Sequence, residues 1–94
     1  MKPTTATLHL NLHGERFSKI ANKTKRIEYR DQTRYWKKRL QGRRYDAILF
    51  RNGFATMAPE MLLEFKGVRR YGKGSKAYYA TRLGRILKIR RWKG

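Results

Sequence analysis

Leu8, Leu10 and Leu12 alternate with His9, Asn11 and His13, the period-two pattern of a strand with one buried face, and Gly14 ends it. From Glu15 to Asn22 the apolar residues Phe17, Ile20 and Ala21 recur at three- and four-residue spacing, which predicts a short helix laying one stripe on a core. A second strand is predicted over Lys25 to Arg30. Its side chains alternate faces, so Ile27 and Tyr29 point one way and Arg26, Glu28 and Arg30 the other, making one face wholly charged. Asp31 is placed to cap a basic amphipathic helix through Tyr35, Trp36, Arg39 and Leu40, with Gly42 where a left-handed terminating residue is wanted. The run YDAILF reads as a buried strand and RNG as its turn. Met61, Leu63 and Phe65 read as a strand leading into KGVRRYGKGSK, whose glycines and cations predict a mobile loop. AYYATRL and RILKI complete the series as separate strands around Gly84, before the basic tail RRWKG at about 90–94.

Short strands and two short helices in one small chain predict an α+β domain over 1–94, built on a curled antiparallel sheet or small barrel. A chain of 94 residues buries only about 60–65% of its unfolded surface, so a single compact core is expected. There is no sustained strand–helix alternation and no GxGxxG or GxxxxGK phosphate loop, which disfavours nucleotide-cofactor folds.

Charge changes the picture most. Twenty-five Lys and Arg stand against six Asp and Glu, a formal net charge of +19. Self-repulsion at that density opposes compaction and is most readily relieved by a bound polyanion. Nucleic acid leads, because the positive charge is spread along the chain rather than gathered on one amphipathic helix or juxtamembrane run; no membrane partner is expected. With no cysteine and two histidines, neither a disulfide framework nor a structural metal site is expected, and no cofactor is implied. Apolar runs fall short of the ~20 residues of a membrane span, and the first residues lack a signal-peptide core, so a cytoplasmic location is expected.

Within KTKRIEYRDQTRYWKKRL the residues Lys25, Glu28 and Arg30 have K-x-x-E-x-R spacing. Glu28 and Arg30 share a strand face, while Lys25 reaches it only from a twisted start. Among cations Glu28 suits accepting a proton or hydrogen bond, Arg30 offers a planar fork to phosphate or a base edge, and Lys25 a point charge. The plainer reading is an ion-pair cluster on a solvated sheet face. Aromatic residues beside cations are the second feature: Tyr35 and Trp36 before Lys37, Lys38 and Arg39, Tyr45 after Arg43 and Arg44, and Tyr71 between Arg69, Arg70 and Lys73. Such pairs suit single strands, which bind by backbone neutralisation plus base stacking. Trp36 with Leu40, and Tyr79 with Leu83, read instead as core, leaving Tyr71 as the stacking candidate. His9 and His13 would stand ~13 Å apart on a strand, too far to act on one phosphate.

FSKIANKTKRIEYR followed by GRRYDAILFRNG, MLLEFKGV and YYATRLGRI resembles the ASCH superfamily, whose fold is similar to that of PUA domains; the match starts at Ile20, Lys25, Glu28 and Arg30 and covers nearly the whole chain. Lys23 stands where many members carry glycine. The resemblance implies a β-barrel with flanking helices and a cleft beside the K-x-x-E-x-R strand that binds RNA or a nucleotide. Some members are enzymes: one group, with threonine where this chain has Glu28, hydrolyses an acetylated cytidine, and others are single-strand ribonucleases. Two functions from different classes therefore stand. One is RNA or single-stranded nucleic-acid binding around Lys25, Glu28 and Arg30, extended by Lys37, Lys38, Arg43, Arg44, Arg69, Arg70, Tyr71 and Lys73. The other is a ribonuclease or N-acylcytidine amidohydrolase using Lys25 and Glu28. A ribosome-associated basic protein using its surface alone is the third. Base preference, RNA against DNA, and oligomeric state are left open by the sequence.

Overall fold

The structure is a computed structural model that describes residues 6–31, 33–40 and 44–92. The chain is α+β. Its strands β1 (Thr7–Asn11), β2 (Ile27–Asp31), β3 (Ala47–Arg51), β4 (Glu60–Tyr71) and β5 (Tyr78–Arg90) form one five-stranded curled half-barrel in the order β1-β3-β4-β5-β2. Helices α1 (Glu15–Ala21) and α2 (Arg34–Leu40) contribute Phe17, Ile20, Ala21 and Leu40 to the same core cluster as Leu8, Leu10, Ile48, Phe50, Met61, Leu63, Tyr79 and Leu83. The alternation in β1 and the helical stripe of α1 are as the sequence predicts.

Four expectations are corrected. The sheet is mixed rather than antiparallel, because β1 pairs β3 in parallel, from Thr7 with Ala47 to Asn11 with Arg51. The segment predicted to be a loop is strand up to Tyr71, and only 72–77 turns the hairpin, with a 3-10 turn at Gly74–Lys76. Cations on both faces had erased the hydrophobic period there. Residues 78–90 are one continuous strand rather than two, and Gly84 lies where its pairing with β4 shifts register. Such irregularities between Leu62 and Gly67 increase local twist and account for the curl. Finally, Asp31 belongs to β2, and Thr33 caps α2: its Oγ1 accepts a hydrogen bond from the Trp36 N–H at 3.2 Å. The predicted terminator Gly42 lies outside the described residues, as do Arg43 and the last two residues of the tail.

The charged face of β2 turns inward. Glu28 is wholly buried and Tyr29 is 49% exposed, because β2 pairs β5 with Glu28 opposite the buried Thr81 and Tyr29 opposite Ala80. Before this strand Lys23 adopts a left-handed φ of 65°, a conformation that strains any residue with a Cβ. It lets the chain turn directly from α1 into the segment carrying Lys25.

Candidate functional site

Lys25, Glu28 and Arg30 converge. Lys25 Nζ donates to Glu28 Oε1 at 3.0 Å, and the Arg30 guanidinium lies 3.0 Å from Glu28 Oε2. A third cation, Arg16 of α1, donates to the same Oε2 and to the Tyr29 carbonyl. Burying a carboxylate is unfavourable unless it is paired and hydrogen-bonded, and here three donors from α1, the approach to β2 and β2 itself satisfy it. Three cations around one acid leave a positive surplus, carried outward by Arg16, whose side chain is 48% exposed.

Arg30 does more than pair. Its guanidinium donates to the Asn11 carbonyl at 2.8 Å, tying β2 to β1, the two outer strands of the curled sheet. It also lies 4.9 Å from the Trp36 ring centroid, so it supports α2 from beneath. Burial pulls the Arg30 guanidinium below its ordinary pKa range, and the Glu28 carboxylate opposes that shift. The motif thus brings its residues together as a partly buried brace rather than as the walls of a hollow. Arg30 is spent on the fold, and Lys25 and Arg30 line different pockets.

An open groove lies beyond the brace, where α2 ends. It holds about 710 Å³, with Arg44, Lys66 and Arg70 around it and Tyr45, Phe65 and Tyr79 among its lining residues. The Tyr45 hydroxyl donates to the Arg39 carbonyl at 2.7 Å, and its ring meets Phe65 edge-on at 5.5 Å, which fixes this wall. Asp46 also lines the groove, and one of its carboxylate oxygens accepts the Ala6 N–H at 3.0 Å. Leu40 and Val68 supply apolar lining. Aromatic rings with surrounding cations suit a phosphate-bearing ligand that also presents a planar base.

No protein-family model, curated protein or solved structure matches the chain.

The remaining residues separate by face. Lys37 and Lys38 are exposed on α2, while Trp36 packs partly buried against the core, as its spacing predicts. Arg44 and Arg70, distant in sequence, meet at the groove. Arg69 and Tyr71 are exposed on the opposite face of β4, and Lys73 is exposed in the hairpin turn. Tyr71 ends a strand rather than occupying a loop. The histidines are both exposed, with His13 beside Phe54 at 5.7 Å. Among the described residues there is no cluster of three His, Asp or Glu able to hold a metal, and no helix is long and apolar enough to cross a membrane. Sequence reasoning missed Arg16, which reaches Glu28 from another element, and Lys66, which directly follows Phe65 but reads only as the start of a loop.

Proposed function

We propose that this chain binds RNA or another single-stranded nucleic acid, with the groove bounded by Arg44, Lys66 and Arg70 taking phosphates and Tyr45 and Phe65 offering ring surface. The observation that carries the proposal is this convergence of three cations on one open, aromatic-lined groove in a chain of net charge +19. The Lys25–Glu28–Arg30 cluster serves the same end from behind, because Arg30 holds Trp36 and thereby α2, whose Leu40 lines the groove. Arg16 and Lys25 add positive potential at the surface of that brace. The resemblance to the ASCH superfamily and its PUA-like fold points the same way, toward an RNA or nucleotide ligand.

The hydrolytic alternative requires Glu28 to reach a substrate. Its oxygens are fully buried and held by Arg16, Lys25 and Arg30, so no observation favours that reading. Titrating a labelled single-stranded RNA at rising salt tests the proposal. If six to ten phosphates of a single strand are engaged across the basic surface, affinity is expected to fall by roughly 300- to 16,000-fold between 50 and 200 mM salt. A salt-independent isotherm, or no binding at low salt, overturns it.

A further inference from the structure

The outer face of the β2–β5–β4 sheet carries a second feature that the groove does not explain. Strand register places Tyr29, Ala80 and Arg69 in one row and Asp31, Tyr78 and Tyr71 in the next, with Arg82 beyond them between Ile27 and Gly67. The three tyrosines are 49%, 36% and 43% exposed in the order Tyr29, Tyr78, Tyr71. Their rings form a chain: Tyr29 meets Tyr78 edge-on at 5.8 Å, and Tyr78 stacks on Tyr71 at 5.6 Å with 23° between planes. Lys25 Nζ stands 6.0 Å from the Tyr29 centroid, and Arg69, Arg82, Lys73 and Lys76 are exposed in or beside these rows.

Single exposed tyrosines need no explanation. Three in ring-to-ring contact across adjacent rows on the solvent face of a sheet are different, since the core lies on the other face and nothing in the fold requires large rings here. Ala80 is buried between Tyr29 and Arg69, so the exposed relief of this face is made by the tyrosines and arginines around it. Cations flanking a row of rings complement a ligand that is anionic along its backbone and planar in its side groups. Duplexes hide their base faces, so a single strand is the form that fits.

We infer that Tyr29, Tyr78 and Tyr71 form a base-stacking platform for single-stranded nucleic acid, with Arg69 and Arg82 neutralising its backbone. The inference rests on the nucleic-acid reading above and adds a second contact face to it. Arg70 at the groove and Arg69 and Tyr71 on the platform are consecutive on β4, and among the described residues no strand pairs with 66–71 on the side away from β5. A strand of nucleic acid can therefore pass from groove to platform over that edge.

The test compares a short oligouridine with an abasic strand of equal length and equal phosphate number, by anisotropy titration at fixed salt. The wild-type chain is expected to bind oligouridine about 10-fold or more tightly, the effect of at least one stacked base. Tyr29→Leu with Tyr78→Leu is expected to lower that preference about 10-fold, to what the groove rings Tyr45 and Phe65 still supply, whereas Tyr29→Phe with Tyr78→Phe keeps it because a phenyl ring still stacks. Circular dichroism checks that the leucine pair folds, and Tyr71→Leu serves as an independent variant. An undiminished preference for oligouridine in the folded leucine variants, or no preference in wild type, overturns the platform and leaves the phosphate contacts of Arg44, Lys66 and Arg70 standing. Binding of neither strand by wild type overturns the nucleic-acid reading itself.

Discussion

Replacing Glu28 with glutamine keeps the side-chain shape and removes its charge. Glu28 is fully buried, and the side chains facing it are 15% exposed for Arg30 and 23% for Lys25, so neither regains full hydration when its partner is lost. Arg16 is half exposed and can swing into water, which limits its share. Arg30 cannot, because Asn11 and Trp36 hold it in place. Removing one partner from a buried ion pair leaves an uncompensated charge and costs about 3–5 kcal/mol. A 94-residue domain is stable by about 5–14 kcal/mol in total, so the substitution removes a large share. The midpoint of thermal unfolding should drop by roughly 12–40 °C, taking about 4–8 °C per kcal/mol for a domain of this size. Urea unfolding followed by tryptophan fluorescence measures the free-energy change directly. Lys19→Ala is the control, because it breaks the exposed 3.3 Å pair with Glu15, where a loss of about 0–1 kcal/mol is expected. If Glu28→Gln behaves like that control, the cluster is solvated and its role as a brace is wrong.

Lys23→Gly is expected to raise stability by about 0.5–1 kcal/mol, because glycine relieves the left-handed strain at φ 65° at some entropic cost, as denaturant midpoints will show. Gly84→Ala should cost about 1–3 kcal/mol: an added Cβ would stand 2.8 Å from Glu64 Cβ and 2.7 Å from its Oε1, too close without backbone movement. Glu64 also accepts the Arg85 N–H at 2.9 Å, which, with Lys66 and Arg85 nearby, holds its carboxyl below the ordinary range. A lowered folded pKa means that the unfolded chain binds the proton more readily. Its stabilising contribution is therefore present above the unfolded carboxylate pKa and lost as pH falls through the folded value. Unfolding curves across that acid range should show a shallower decline for Glu64→Gln than for wild type.

Much of the fold is written in local periodicity. Leu8, Leu10 and Leu12, the stripe of Phe17, Ile20 and Ala21, and the paired Tyr79 and Leu83 each lie where their spacing puts them. Spacing fails where both faces of a strand carry polar residues. Arg69 and Arg70 face opposite sides of β4, so alternation left no hydrophobic signal and glycines suggested a loop. Strand direction was equally hidden, since the parallel pairing of β1 with β3 depends on a long connection through α1, β2 and α2 rather than on any local residue pattern. At the site, the three motif residues were legible as a group, but their burial was not: inward-facing Glu28 requires Arg16, twelve residues earlier on another element. The same inversion set Tyr29 on the outer face, where strand alternation alone would as readily have buried it.

The salt dependence of single-stranded RNA binding by Arg44→Ala, Lys66→Ala, Arg70→Ala combined, set beside wild type, tests the groove most directly. Each phosphate neutralised on a single strand contributes about 0.7 to the slope of log affinity against log salt, so losing three contacts should flatten that slope by about 2. Removing equal charge at the exposed residues Lys19, Arg26 and Lys88 should leave it nearly unchanged. Equal slopes for the groove variant and wild type would contradict the assignment and leave only diffuse attraction between a basic surface and a polyanion.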